Sequence, residues 1–293
     1  EEIVGKFNIK CAILLYEVLL KMRCLFCKQD SSSAKSIEHI IPESMGNTKL
    51  ILPLGYICDK CNNFFARKVE KPFMDLEVVR LWRAHEYIHN KKGRTAIFDA
   101  YLNNKKVPIS FDEGNPFCFH IMSEKIYKEL SEHKGEFTLS IPVFTNETKI
   151  ENNIIISRLL AKIALEFWVY KLKDIPDSLD EVIDDDNYDL IRNHARLGTT
   201  IEWPCSIRRV YDMEKSEIIN GEEVQKVYEC DFLCIKTGEI ENGVVAIIYF
   251  VLIIRGIEFV INLGEPEIDN YYEWLKEHEY ISPLYCKESK SRN

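Results

Sequence analysis

Two Cys-x-x-Cys pairs constrain this chain more than any other feature of its sequence. The pairs are Cys24 with Cys27 and Cys58 with Cys61. Four thiolates in two such pairs are the ligand set of a closed tetrahedral zinc site, which leaves no coordination position for a reaction. The sequence therefore predicts a structural zinc ion, and any chemistry must come from the residues that this ion holds in place.

Three polar residues accompany these cysteines. Glu38 and His39 are adjacent in the segment between the two pairs, and Asn62 follows the last cysteine directly. Carboxylate and carboxamide oxygens suit a hard cation such as Mg²⁺, and an imidazole with a pKa near neutrality suits a general base. We therefore predict a hard-metal site with a base beside it, formed where a strand or loop meets the start of a helix.

Composition indicates a folded chain without a membrane span. Hydrophobic residues make up 46% of the 293 residues, and no apolar run reaches the 18 or so residues that a bilayer span needs. The chain has 10 cysteines and no recognisable signal peptide, so we expect a reducing compartment, and hence a cytoplasmic protein with no membrane partner.

Charge is distributed unevenly along the chain. The formal net charge is −9, but residues 22–95 contain 13 Lys and Arg against 8 Asp and Glu, a local charge of +5. Residues 1–21 contain 3 of each sign, so the rest of the chain carries −14. This asymmetry favours a basic part that meets phosphates and an acidic part with another task, such as binding a regulatory protein or ligand.

Hydrophobic periodicity predicts an α+β fold. The pattern predicts a hairpin from strands at 96–102 and 107–111, an uninterrupted helix at 154–172, and a strand pair at 244–254 and 257–261. The predicted division is an N-terminal extension or helix at 1–21, a zinc module with its following helix at 22–94, a mixed α+β domain of unknown specificity at 95–284, and a disordered tail at 285–293.

The zinc module resembles the HNH nucleases, whose catalytic core is the ββα-metal fold, in the branch where four cysteines bind a structural zinc. The resemblance covers roughly residues 23–73, and it is carried by Cys24-x-x-Cys27, by Glu38-His39-Ile40-Ile41-Pro42 with Gly46 after it, and by Cys58-x-x-Cys61-Asn62. It implies that Glu38 and Asn62 bind one Mg²⁺ or Mn²⁺. It also implies that His39 is the general base for a water that attacks phosphorus, giving a 5′ phosphate and a 3′ hydroxyl.

The chain departs from the family pattern at two positions. Ala66 stands where many members have a third metal-binding histidine, and Pro53 stands where a loop asparagine is common. The role of that asparagine in the family is to hold the loop of the catalytic histidine. Here either Asn47 takes over that role or the backbone holds the loop alone, and we favour Asn47. Asn63 and Glu70 are seven residues apart and are predicted to share a helix face, from which they support the site.

The resemblance implies a metal-dependent endonuclease that hydrolyses DNA phosphodiester bonds. We expect double-stranded DNA as its substrate, cut by nicking or by double-strand cleavage, and bacterial defence or a mobile element is the expected setting. Small modules of this kind bind mainly phosphates through basic side chains. The candidate phosphate contacts in this module are Arg23, Lys35, Arg67 and Lys68.

Two other functions compete with this hypothesis. Four cysteines in this spacing also build zinc-ribbon-like DNA-binding modules without activity. In addition, His85, Glu86 and His89 match the H-E-x-x-H signature of zinc metalloproteases, on a helix predicted at 74–90 and with Glu113 as a third ligand. We prefer to interpret these two histidines as solvent-facing residues of the last helix of the basic module.

Overall fold

The computed structural model of the chain describes residues 22–89, 93–112, 115–132, 135–198, 202–212, 215, 217–219, 222–224, 227–240 and 243–286. The extension predicted at 1–21, the proposed third protease ligand Glu113, and positions 287–293 of the predicted tail lie outside these residues. Within them, helices and antiparallel sheets occur in separate segments, which confirms the predicted α+β class.

A short hairpin precedes the first helix of the zinc module. His39 pairs with Ile51 in a single antiparallel bridge. Beside this bridge, the Ile40 amide donates to the Leu50 carbonyl at 3.1 Å, and the Leu52 amide donates to the Glu38 carbonyl at 3.0 Å. The hairpin thus presents Glu38 and His39 on one arm, directly in front of the helix that carries Asn62.

Three helices follow the hairpin, named α1, α2 and α3. α1 begins after Cys58, whose sulfur accepts a hydrogen bond from the Cys61 amide, and a π-helical turn joins α1 to α2. Leu76 has an extended backbone (ψ 132°) and separates α2 from α3. The bounds are α1 Asp59–Phe65, the π turn Ala66–Glu70, α2 Lys71–Asp75 and α3 Glu77–His85.

A four-stranded antiparallel sheet in the order β3-β2-β1-β4 comes next. Its central hairpin turns at Asn103 and Asn104, both with positive φ, so the predicted strand pair around this turn is confirmed. The bounds are β1 Phe98–Leu102, β2 Lys105–Asp112, β3 Asn115–Ile121, α4 Glu124–Glu132 and β4 Leu139–Ser140.

The predicted long apolar helix is α5, Ile154–Lys171. The Asn153 side chain caps it by accepting hydrogen bonds from the amides of Ile155 and Ile156. The helix is apolar around most of its circumference, as expected for a helix that is buried on several sides. Two shorter helices and a 3-10 turn lie after it: α6 Ser178–Asp184, the turn Asp186–Tyr188 and α7 Asp189–Leu197.

A second four-stranded sheet, in the order β5-β10-β9-β8, completes the fold. One face contributes Leu252 and Phe259 to the large core that contains α5, and the opposite face contributes Val251 and Val260 to a smaller core that includes Tyr271. The bounds are β5 Cys205–Arg209, β6 Glu217–Ile219, β7 Glu222–Val224, β8 Tyr228–Ile240, β9 Gly243–Ile254, β10 Ile257–Asn262 and α8 Asp269–Glu277.

The zinc module and α5 share one buried hydrophobic cluster. Ile41 and Phe73 of the module meet Leu160 and Ile163 of α5 at an apolar junction that also includes Leu252 of β9. The domain division at residue 95 stays a prediction, but α5 is positioned to reach the module directly. No helix in the described part of the chain has the length and apolar character to cross a membrane.

Candidate active site beside a four-cysteine cluster

The four predicted zinc ligands converge in space. One sulfur from each of Cys24, Cys27, Cys58 and Cys61 lies within 4.8 Å of the others, and the Sγ atoms of Cys27 and Cys58 are 3.7 Å apart. A tetrahedral zinc with bonds of about 2.3 Å would place its sulfurs about 3.8 Å apart. The cluster therefore fits a structural zinc site.

The thiol cluster already favours ionisation at one cysteine. The hydrogen bond from Cys61 lowers the pKa of Cys24 to about 4, whereas the same contact raises the pKa of Cys61. Zinc binds the thiolate form of cysteine and would favour ionisation of all four thiols.

Glu38, the residue before the predicted base, is buried and contacts a lysine. Its Oε1 accepts a hydrogen bond of 2.6 Å from Nζ of Lys162, which lies on α5 and is fully buried. The same Nζ lies 3.1 Å from Glu70 Oε1 and 3.0 Å from Glu166 Oε2. One ammonium therefore contacts three carboxyl groups, two from the zinc module and one from its own helix.

The charges in this group are strongly coupled. Burial alone would lower the pKa of Lys162, but attraction to Glu166, Glu38 and Glu70 outweighs it and holds that pKa well above its usual range. Burial raises the pKa of Glu166 well above its usual range, against the opposing effect of Lys162. Lys162 is therefore charged, and burial favours the protonated form of Glu166.

His39 and Asn62 lie on either side of the same strand-to-helix junction. The Asn62 side-chain amide donates to the carbonyl of Ile37 at 3.2 Å, so it is held next to the backbone that carries Glu38. Nδ1 of His39 is buried and has no hydrogen-bond partner among the described residues. The backbone segment that carries Glu38 and His39 thus lies next to Asn62, while the catalytic roles of these three residues stay predictions.

Asn47 is fully buried and connects the arms of the hairpin. Its amide nitrogen donates to the carbonyls of Ile41 and Leu50, at 2.7 and 2.9 Å. Its oxygen accepts from the amide of Leu50 at 2.8 Å and from the hydroxyl of Tyr228 at 2.9 Å. These bonds have the form expected of a loop support, and they also join the hairpin to β8.

Gly46, just before Asn47, has a φ of +93°, which an L side chain rarely adopts. A Cβ at this position would lie 2.7 Å from a methyl group of Val227, so the position also lacks space for a side chain. Both observations give a physical reason for a glycine at this position of the chain.

The other two support residues lie apart. Asn63 is exposed on α1, whereas Glu70 is partly buried against Lys162. The π turn adds a residue to the helical repeat between them, so they do not follow the regular α-helical spacing on which the prediction of a shared face depended.

The expected Mg²⁺ or Mn²⁺ site does not fit the arrangement around Glu38. The carboxylate is 6% exposed, and one of its oxygens is held by the Lys162 ammonium. Within the described residues, the four cysteines form the one group of three or more Cys, His, Asp or Glu ligands that is close enough to hold an ion. The cation that contacts Glu38 in this structure is an ammonium.

The four candidate phosphate contacts differ in accessibility. Lys35, Arg67 and Lys68 are exposed. Arg23 instead forms salt bridges of 2.8 Å with Asp180 and with Asp184, both on α6.

Lys28, a neighbouring basic residue of the module, pairs at 2.9 Å with Asp189 at the start of α7. Part of the basic face of the module is thus neutralised by the acidic segment that follows α5.

The H-E-x-x-H motif does not form a protease site. Helix α3 ends at His85, and Tyr87 has a φ of +50°, so the two histidines are not on successive turns of one helix. Glu86 binds Arg255 through a 2.5 Å salt bridge. The protease prediction lacks the required geometry.

The preferred interpretation of both histidines as solvent-facing is wrong for His85. Its ring packs against Phe98 and Phe111, and burial lowers the pKa of its imidazole.

Sequence reasoning missed Lys162 and Glu166. These two residues are four positions apart from each other in a helix that is otherwise mainly apolar. A charged pair with this spacing inside a fully buried helix is a signal, because charges are rarely buried without partners. The signal identifies a buried ion pair but not the distant glutamate that completes it.

Comparison with known proteins adds one match. Residues 24–75 match the family model described as HNH endonuclease. No curated protein and no solved structure matches the chain.

The zinc module is therefore an HNH endonuclease domain, and its cysteine cluster fits the zinc-binding variant of that family. This identifies the class of residues 24–75.

Proposed function

We propose that the chain is an HNH endonuclease that hydrolyses phosphodiester bonds in double-stranded DNA. One observation carries the proposal: the Glu38-His39 arm of the hairpin meets the start of α1 at Asn62, directly beside a cysteine cluster that fits zinc. This proximity supports the roles of carboxylate, base and carboxamide that the resemblance to the HNH family implies for these residues. We expect nicking or double-strand cleavage, in a cytoplasmic setting where thiols stay reduced.

His39 acts as the general base in this proposal. Because Nδ1 is buried, Nε2 is the ring nitrogen that takes a proton from the attacking water. The exposed Lys35, Arg67 and Lys68 bind the DNA backbone, which supports affinity but not sequence preference. Mg²⁺ or Mn²⁺ is the proposed cofactor. Glu38 would hold it only in an arrangement that releases this carboxylate from Lys162, and the ion would then supply stabilisation of the negative charge on the phosphate.

The contact between Arg23 and α6 supports a regulatory role for the acidic part of the chain. Asp180 and Asp184 neutralise a basic residue of the HNH domain, so a DNA target, regulatory protein or ligand that displaces α6 would expose it. We propose that residues 95–284 restrain the nuclease in this way, in a bacterial defence or mobile-element setting.

A non-catalytic DNA-binding module is the second candidate. The observation that favours it is the pairing of Glu38 with Lys162, which leaves the predicted metal ligand engaged with a protein cation. Such a module would bind duplex DNA through the same exposed basic residues and would not cleave it.

Plasmid nicking separates the two candidates. We expect the zinc-loaded protein to convert supercoiled plasmid to open circles with Mg²⁺ or Mn²⁺, and His39→Ala to lose this activity while retaining its zinc. His120→Ala is the matched control, because His120 is exposed on β3. Plasmid binding without cleavage in either metal would support the binding module instead.

A further inference from the structure

We propose that Lys162 is the resident cation of the candidate active site, and that a divalent ion reaches Glu38 only by displacing its ammonium group. The inference deepens the proposed function, because Glu38 is the metal ligand which the nuclease hypothesis requires. It names a residue outside the HNH domain that controls access to that ligand.

The first support is the geometry of the ammonium. Nζ of Lys162 has no solvent exposure and lies 2.6 to 3.1 Å from oxygens of Glu38, Glu70 and Glu166. Nζ donates hydrogen bonds to Glu38 and Glu166, and Glu70 adds a third charged contact. Lys162 therefore places a buried positive charge against the carboxylate beside His39.

The second support is an unused ligand atom in the same place. Oε1 of Glu166 is buried and has no hydrogen-bond partner among the residues that the structure describes. A buried carboxylate oxygen without a partner costs free energy, on the order of 1 to 3 kcal/mol. This oxygen, the Glu38 carboxylate and the partly exposed Glu70 carboxylate offer more oxygen ligands than one ammonium can use.

With the Lys162 ammonium withdrawn, these three carboxyl groups would suit a hard divalent cation. Mg²⁺ and Mn²⁺ prefer carboxylate oxygens and keep part of their coordination shell as water. The 23% exposure of the Glu70 side chain gives such an ion and its waters a route to the group. With Lys162 in place, an incoming ion meets a unit positive charge at about bonding distance, which strongly opposes binding.

Helix α5 supplies the lysine, and its position links metal access to the rest of the chain. The same helix packs against β10 and against the module. A movement of α5 that withdraws Nζ from Glu38 would therefore free the carboxylate for a metal. The packing in this structure keeps Nζ and the Glu38 carboxylate in contact.

Mn²⁺ binding to the full, zinc-loaded chain tests the inference. Electron paramagnetic resonance of free Mn²⁺ gives the affinity for the wild type, Lys162→Met and Lys162→Met/Glu38→Gln. We expect Lys162→Met to bind one Mn²⁺ roughly tenfold or more tightly than the wild type, because the repelling charge is gone. Adding Glu38→Gln should abolish this gain.

Two further variants serve as controls. Lys162→Arg keeps a cation in the group and is expected to bind Mn²⁺ no better than the wild type. Lys171→Met removes an exposed lysine of the same helix, and it should leave Mn²⁺ affinity unchanged. Equal Mn²⁺ affinity of the wild type and Lys162→Met would overturn the inference and leave Lys162 as a structural ion-pair partner only.

A measurement on the wild type covers the case in which Lys162→Met does not fold. In wild-type crystals soaked with Mn²⁺, we expect no anomalous peak at Glu38 while Nζ remains in contact with it. A peak at Glu38 with that contact intact would contradict the inference.

The outcome is independent of the success of the proposed function. If Lys162→Met gains Mn²⁺ binding but neither protein nicks DNA, the resident-cation inference stands and the nuclease proposal fails. If the wild type nicks DNA and binds Mn²⁺ as tightly as Lys162→Met, the nuclease proposal stands and this inference fails.

Discussion

Lys162 of α5 donates a 2.6 Å hydrogen bond to Glu38, although 124 residues separate them in the sequence. The contact joins the HNH domain to the centre of the remaining fold at the carboxylate that precedes the candidate base. We therefore expect both the stability of the protein and the proposed access of a metal to Glu38 to depend on this ammonium group.

Loss of this ammonium should destabilise the protein strongly in the absence of divalent ions. Lys162→Met leaves Glu38 and Glu166 buried without their cation, and we expect the free energy of unfolding to fall by about 3 to 5 kcal/mol. Urea unfolding of the zinc-loaded chain, in buffer without other divalent ions, measures this. Lys171→Met, which removes an exposed pair with Asp231, should cost about 1 kcal/mol or less. Equal losses for the two variants would contradict the account.

Release of Arg23 from α6 should strengthen DNA binding. In Asp180→Asn/Asp184→Asn the guanidinium loses both partners and becomes available to a phosphate. We expect tighter binding to duplex DNA, with a salt dependence that is steeper by about one unit on a log-log plot. Fluorescence anisotropy over a range of salt concentrations gives both quantities.

The matched control for this effect is Glu273→Gln/Glu277→Gln, which changes the net charge equally on exposed positions of α8. If this control variant tightens binding as much, general charge rather than the release of Arg23 is responsible.

Zinc removal should unfold the HNH domain. In Cys58→Ser one of four ligands is missing, and structural zinc contributes about 10 to 16 kcal/mol of apparent binding free energy in small zinc domains. We expect loss of bound zinc in elemental analysis and rapid hydrogen exchange across residues 24–75. Cys234→Ser, at an exposed cysteine of β8, should retain both zinc and protection. Slow exchange in zinc-free Cys58→Ser would show that the domain folds without its metal.

His194 should make the protein sensitive to mild acid. Burial lowers its pKa to about 4 from an ordinary value of 6.5, and its Nε2 lies 3.0 Å from the hydroxyl of Ser157 on α5. Between pH 6.5 and 4 the unfolded chain binds a proton that the folded chain excludes, so the free energy of unfolding falls as the pH falls. The total loss in the free energy of unfolding is about 3 kcal/mol, and this loss does not increase below pH 4.

Urea unfolding at several pH values, compared between the wild type and His194→Gln, isolates this contribution. The stability difference between the two proteins should shrink as the pH falls from 6.5 toward 4. The exposed His120→Gln variant should run parallel to the wild type. A constant difference for His194→Gln would mean that this imidazole titrates normally.

Local patterns were enough to predict the parts of the fold that short segments determine. The cysteine pairs, the hairpin at Asn103 and the apolar helix α5 depend on turn residues, spacing and periodicity, all of which are readable in the sequence. The helix predicted at 74–90 instead breaks at Leu76 and ends at His85. The end of this helix was not predictable, because the residue with positive φ is Tyr87 and not a glycine, and no proline lies beside it.

The candidate site was predictable only in part, because local patterns do not show which distant residues contact it. Glu38, His39 and Asn62 belong to one short pattern, whereas Lys162 and Tyr228 reach that pattern from elements far along the chain. Such contacts depend on how helix α5 and strand β8 pack against the module. Without that packing, Glu38 resembles a free metal ligand, and Arg23 resembles a free phosphate contact.

The central claim is that His39 of a zinc-held HNH domain catalyses DNA cleavage. The most direct measurement is the rate of plasmid nicking by wild type, His39→Ala and His120→Ala at equal zinc content. A general base contributes about 10² to 10⁴ in rate, so His39→Ala should fall by at least the lower figure, regain part of its activity with added imidazole, and differ clearly from His120→Ala. Equal nicking rates for wild type and His39→Ala would contradict the account.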